Sequence, residues 1–211
     1  MTTLVDKIVN AIRDDIFAGV LAPAQQLKQV ELANHYGVSP IPLREALQRL
    51  QVEGLVVYYP YRGAVVASAN KSEATDIATI RAALETLAYR LTVPDLTQDQ
   101  LDRLKKLAQE LESAEASQPV FFMQRILTFF EVLLAQANRP LLLDSIKTNL
   151  KRATLYYAAI IKHPRRSEII VPSRLDVVAA MERRDIELVI KLANARIDGF
   201  MNFFERNIDV E

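Results

Sequence analysis

The 211-residue chain has no cysteine and no tryptophan, and only two histidines, His35 and His163. Without cysteine there is no disulfide framework, CxxC redox pair, thiolate zinc site or cysteine nucleophile. Two histidines nearly exclude a multi-histidine metal site. No stretch approaches the ~20 consecutive apolar residues of a membrane span. The N-terminal segment MTTLVDKIVNAIRDD carries charge throughout and lacks the apolar core and cleavage site of a signal peptide. The expectation is a soluble, cytoplasmic protein with no membrane partner.

Glycine is also scarce. There are five, at positions 19, 37, 54, 63 and 199, where an average chain of this length holds about fifteen. Four of the five precede residue 64, so turn chemistry is concentrated at the N-terminus and the remainder has the composition of long helices. Half of the residues are hydrophobic, enough for a packed core. Lys and Arg number 26, as do Asp and Glu. This neutrality argues against a nucleic-acid binder, whose domain is usually basic. Residues 1–68 are neutral as well, with Lys7, Arg13, Lys28, Arg44, Arg49 and Arg62 against Asp6, Asp14, Asp15, Glu31, Glu45 and Glu53. Three of those acids lie in the first helical segment, so binding would rest on a few placed arginines and on dimerisation.

Leu4, Ile8, Ile12 and Ile16 recur at i, i+4 spacing, which predicts a helix over residues 4–18 that stops at Gly19. Residues 20–27 read as a short connection. A second helix spans about 29–35 and ends at Gly37. Ser39 is placed to cap a third, whose first turn accommodates Pro40 and Pro42, with Leu43, Leu47 and Leu50 facing inward as far as Gly54. LVVYY and AVVAS, separated by Pro60-Tyr61-Arg62-Gly63, form a hairpin. Beyond Asn70, helical periodicity marks segments near 72–92, 97–116, 119–136, 141–162, 167–183 and 185–208. They are dissimilar to one another, as in a bundle rather than a repeat array.

Two compact helices, a turn at Gly37 and a following hairpin are the parts of a winged helix-turn-helix. Leu32, Val38, Leu43 and Leu47 would form its core. Arg44 and Arg49 project from faces of the third helix that the core does not need, and guanidinium groups suit phosphates and guanine edges alike. Arg62 and Gly63 lie at the wing tip. The competing reading of Arg44 and Arg49 is a solvated helix face. His35, beside the turn, is structural or touches phosphate.

The pattern L…ELA…GVS…P-REAL-RL, continuing EGLV and RGA-V, resembles the winged helix-turn-helix of the GntR family of bacterial transcription regulators, FadR-type branch. RAALETLAYRL at 81–91 resembles the opening helix of that branch's helical FCD domain. The resemblance implies a mainly α chain in three parts. Residues 1–68 are a DNA-binding domain of three helices plus a hairpin. Residues 69–74 are a linker, and 75–211 are an all-α antiparallel bundle of about six helices for effector binding and dimerisation. The implied partners are a double-stranded DNA operator, a small-molecule effector and a second copy of the chain. Ser39, Ile41, Arg44, Arg49, Arg62 and Gly63 are the DNA-binding candidates. Val30 and Pro40 stand where the family usually places operator-reading arginines.

FCD domains commonly hold a divalent metal through one Asp and three His. Aligned here, the first His falls at Phe129 or Phe130 and the Asp at Arg125 or Ile126. The other two histidines fall at Arg174 and Arg196. Arginine offers no free lone pair at neutral pH, so no metal and no cofactor is expected. Guanidinium groups where ligands usually converge suggest direct binding of an anion, such as an organic acid. Their alternative is solvent or pairing with acidic neighbours. Arg125, Asn149, Arg152, Tyr156, Arg174 and Arg196 are the effector-site candidates. Tyr156 and Tyr157 line a cavity or are plain core; Phe121, Phe122, Phe129 and Phe130 are core candidates.

Two other functions compete with a ligand-responsive regulator. An enzyme lacks support, because there is no Gly-rich phosphate loop, G-x-S-x-G, H-E-x-x-H or histidine constellation. A helical interaction or scaffold protein with a degenerate helix-turn-helix is the alternative.

Overall fold

The computed structural model describes residues 3–114 and 119–208. The chain divides into two compact units, Met1–Ala69 and Asn70–Glu211.

In the first unit, α1 (Leu4–Ala18) opens on a capping box in which the Thr3 hydroxyl accepts from the Asp6 amide and the Asp6 carboxylate accepts from the Thr3 amide. It ends at Gly19, whose φ of 78° lets the chain leave the helix without Cβ strain. Ile8, Ile12 and Ile16 are buried on α1, whereas Leu4, expected on the same stripe, is exposed. α2 (Gln29–His35) and α3 (Pro40–Val52) flank the turn at Gly37, where φ is +64°. Val38 donates to the Ala33 carbonyl across this turn and is only half-buried. Leu43, Ala46, Leu47 and Leu50 bury the inner face of α3 against α1.

β1 (Val56–Tyr59) pairs antiparallel with β2 (Gly63–Val66), with Val56 opposite Val66 and Tyr59 opposite Gly63. The connection before α2 takes part as well. Gln26 bridges Val65, and the Leu27 amide donates to Ala64 at 2.8 Å. β2 is thus hydrogen-bonded on both sides, which ties the wing to the segment leading into α2.

The second unit is helical: α4 (Lys71–Thr92), α5 (Gln98–Ala114), α6 (Pro119–Leu134), α7 (Pro140–Lys162), α8 (Arg174–Glu182) and α9 (Ile186–Asn207). α4 packs against α6, α7 and α9, and α5 lies against α6 and α8. The expected linker over 69–74 is shorter than that. The Asn70 side chain caps α4 by accepting from the Glu73 amide, so residues 71–74 already form its first turn. Within the helical segment expected near 167–183, where Pro172 reads as near a helix start, the helix begins only after that proline. Residues 166–168 make one 3-10 turn, an extended strap runs to Ser173, and α8 begins at Arg174. Pro172 disfavours α conformation in the residue before it, and Ser173 with Asp176 supplies a fresh capping box.

Candidate nucleic-acid interface and effector site

α3 presents its outer face through Ile41, Arg44, Glu45 and Gln48, all exposed. Ser39 is its N-cap, and the hydroxyl makes no cap hydrogen bond, which leaves it available to an external acceptor. The Arg44 Nε lies 3.4 Å from the Gln29 Oε1 of α2, so the guanidinium stands between the two helices of the motif. Arg49 behaves differently. Its guanidinium is shared between Asp6 on α1 and Glu45 on α3, each at 2.8 Å. Expected to project freely, Arg49 is instead a tether between α1 and α3. At the wing tip Tyr61 and Gly63 both adopt positive φ, 64° and 71°, and the Gln26 side chain donates to the Arg62 carbonyl at 2.6 Å. That geometry turns the Arg62 side chain out into solvent. The fully exposed Tyr61 beside it is a wing-tip side chain that sequence reasoning did not single out; its position in a Pro/Gly turn was the available signal.

The second unit separates the six effector-site candidates. Arg152 is exposed. Arg125 pairs with Glu110 at 3.3 Å and lies over the Phe121 ring at 4.7 Å; it is a half-buried ion pair whose facing atoms are enclosed. Tyr156 donates to Glu73 at 2.8 Å, which fastens α7 to the start of α4. Burial and the Glu73 carboxylate together push its hydroxyl well above the ordinary tyrosine range. Asn149 donates to the Ile77 carbonyl at 3.3 Å, and its buried Oδ1 has no hydrogen-bond partner among the described residues.

Arg174 and Arg196 are buried, at 4% and 5% exposure. The Arg196 guanidinium donates to the Pro172 carbonyl and stands 3.8 Å from Glu112. Glu112 also accepts from the Arg174 amide at 2.5 Å and the Ser173 hydroxyl at 3.2 Å, so its carboxylate sits on the N-terminus of α8. The Arg174 guanidinium lies over the fully buried Phe129 ring, and its buried Nε has no hydrogen-bond partner among the described residues. Burial, then the nearby Arg196 and Arg81, bring its pKa down to about 10. It therefore remains a cation at neutral pH, in a place that disfavours one.

Two members of this cluster escaped sequence reasoning. Arg81 and Glu85, buried on α4, pair at 2.5 Å, and Arg81 also donates to the Tyr157 hydroxyl at 2.6 Å. Burial alone would lower the Arg81 pKa, but Glu85 and Tyr157 outweigh it and hold the group charged. Their i, i+4 spacing within an otherwise apolar stretch was the legible signal. A cavity of about 340 Å³ lies in the same unit, lined by Glu112, Phe122, Tyr157, Ile160, Arg166 and Phe200 among others.

Residues 4–66 match the family described as bacterial regulatory proteins, gntR family, and residues 76–199 match the FCD domain. The chain belongs to the gntR family. It is 28% identical over 186 residues to the HTH-type transcriptional repressor RspR of Escherichia coli K12, spanning 87% of this chain and 81% of that protein. It is 31% identical over 105 residues to the uncharacterized HTH-type regulator YdhC of Bacillus subtilis, a match covering 50% of this chain and 47% of that protein. Among solved structures, E. coli McbR/YncC superposes with a TM-score of 0.71 at 22% identity, covering 99% of this chain and all of that one; this likeness concerns the fold. This gntR-family protein is a DNA-binding transcription regulator with a small-molecule-binding domain, not an enzyme. Among the described residues no helix is long and apolar enough to cross a membrane. No group of three or more His, Cys, Asp or Glu side chains among the described residues could hold the metal that the resemblance associates with FCD domains. Phe129 or Phe130, Arg174 and Arg196 stand where the resemblance places histidines, and an aromatic ring and guanidinium cations do not ligate a cation.

Proposed function

We propose that this regulator acts as a homodimer on a palindromic operator and that a small anion, of the organic-acid type, controls it from within the helical unit. The observation that carries the anion is Arg174, a guanidinium nearly sealed from water and lacking an ion-pair partner among the described residues. A buried charge with no direct ion pair, on which Glu85 acts only at longer range, costs several kcal/mol, and an incoming carboxylate offsets that cost by bidentate hydrogen bonding. Arg196 sits close enough to Arg174 to depress its pKa, which supports a shared site. Asn149 and Tyr156 are engaged instead with the Ile77 carbonyl and Glu73; Arg152 is exposed and Arg125 is held by Glu110, so these four are not part of the proposed site.

Dimerisation is supported by α4, whose exposed side carries Ile80, Ala83, Leu87 and Leu91 at helical repeat spacing. Ile80 and Leu87 are about half exposed, at 50% and 47%, and such a stripe buries well against its own copy. Two recognition helices then meet half-sites about one helical turn apart. On each, Ser39, Ile41 and Arg44 approach the major groove, while Arg62 and Gly63 bring the wing to the backbone. Arg49 contributes chiefly through its tether.

Calorimetry with small carboxylates tests the effector reading. Wild type should bind, and Arg174→Ala and Arg196→Ala should bind at least tenfold more weakly. Equal binding by all three sinks it. A mobility shift on the DNA flanking the gene tests the operator reading, with tight, salt-sensitive retardation expected.

A further inference from the structure

The outer stripe of α3 runs Ile41, Arg44, Gln48, at spacings of three and four residues. Two of the three are hydrogen-bonding side chains suited to base edges. The third is an isoleucine at 82% exposure, two residues after the helix-capping Ser39 and one turn before Arg44. A single exposed isoleucine is ordinary on a protein surface. This one sits in the first turn of the recognition helix, the part of such a helix that reaches base edges.

The major-groove edge of DNA carries one apolar group, the C5 methyl of thymine. We propose that Ile41 is a specificity-determining residue that reads a thymine by packing on this methyl. The proposal deepens the operator reading above and rests on it. A protein partner is a poorer fit, because the neighbours of Ile41 on the exposed face are Arg44, Glu45 and Gln48. One aliphatic side chain among charged and amide groups is far too small for a protein interface. It matches the alternation of a methyl with donors and acceptors along a base-pair edge. Pro40 strengthens the case: without an N–H or a polar side chain, it leaves Ile41 as the exposed reading group of the first helical turn, one turn ahead of Arg44.

The test uses the full chain and duplexes enriched from a random pool. Each thymidine of the enriched duplex is replaced in turn by deoxyuridine, which removes the methyl and keeps every hydrogen-bonding group. For wild type, anisotropy titration should show about fourfold weaker binding per substituted half-site at one position, and little change elsewhere. Ile41→Ala should bind the thymidine and deoxyuridine duplexes equally. Arg44→Ala should weaken binding to both while keeping their ratio. Circular dichroism establishes that the variants are folded.

A wild type indifferent to deoxyuridine at every position overturns the proposal, and so does discrimination that survives Ile41→Ala. If that variant instead weakens self-association with no thymidine preference in wild type, Ile41 is a protein contact and the proposal is wrong. These outcomes leave the operator reading intact. A pool that yields no enriched sequence removes both, so the two failures are distinguishable.

Discussion

Arg174 holds its guanidinium carbon 5.8 Å from the centroid of the Phe129 ring, and no described carboxylate forms an ion pair with it. The aromatic ring supplies a weak electrostatic partner, far short of the hydration the cation has lost. Under the proposed function, stability and ligand binding oppose one another at this residue.

Arg174→Leu should raise the melting temperature of the ligand-free protein by several degrees, because an apolar side chain replaces an unpaired buried charge for a gain of about 1–4 kcal/mol. The same change should abolish the stabilisation that carboxylates give wild type, which for saturating ligand at 100 times Kd is about 2.7 kcal/mol. Thermal melts with and without ligand check both. The sign of the pH dependence agrees. With the folded pKa depressed to about 10 from 12.5, the unfolded chain binds this proton more tightly, so the contribution of Arg174 to stability rises with pH across that window.

The arginines of the DNA-binding unit should differ in kind. Arg44→Ala should cost roughly 1–3 kcal/mol and relax preference at one base pair. Arg62→Ala should weaken binding evenly across sequences and lower the salt slope by about one. Arg49→Ala, whose guanidinium is engaged with Asp6 and Glu45, should affect binding less than Arg44→Ala does. Titrations of three duplexes at several salt concentrations separate these outcomes; an Arg49 effect equal to that of Arg44 contradicts the tether.

Hydrogen bonds from the Thr3 backbone and side chain, then Arg49, hold the Asp6 carboxyl below its usual 3.8. A depressed carboxyl stabilises the fold above its unfolded pKa and loses that contribution as pH falls through the folded value, here below 3.8. Thr3→Ala keeps the backbone donor and removes only the side-chain contribution, so it should return the Asp6 pKa part of the way toward 3.8, as read by carboxyl NMR titration. An unchanged value in that variant assigns the shift to the backbone donor and Arg49 alone.

A methyl group added at Gly199 would lie 2.3 Å from Cγ1 of Val171. Gly199→Ala should therefore displace the strap ahead of α8 and cost about 1–3 kcal/mol. Adding Val171→Ala should recover most of that loss in urea unfolding. Additive losses in the double variant mean the two do not touch.

Much of the fold was legible because its determinants are local. The isoleucines of α1 and the leucines of α3 repeat at helical spacing. Gly19, Gly37 and Gly63 occupy the positive-φ positions that end helices or turn a hairpin. The strap before α8 was less legible, since the apolar pattern continues through Ile169, Ile170 and Val171 and only Pro172 and Ser173 interrupt it. Gln26 bridging Val65 was invisible because that pairing joins positions distant in sequence.

The candidate sites divide along the same line. By itself the sequence determined the helix-turn-helix with its wing and the helical second unit. Periodicity, turn chemistry and residue type suffice for those, because each acts within a few residues; that Arg174, Arg196 and an aromatic ring stand where metal-binding side chains usually do is what the resemblance to the family implies. Only the tertiary structure decided which arginines have counterions. Arg125 meets Glu110, Arg49 meets Asp6, Arg81 meets Glu85 and Tyr157, and Arg174 meets a ring. A helical period tells which side chains share a face. Which carboxylate stands opposite depends on packing between helices, and at Arg174 that packing left a buried positive charge without an ion-pair partner.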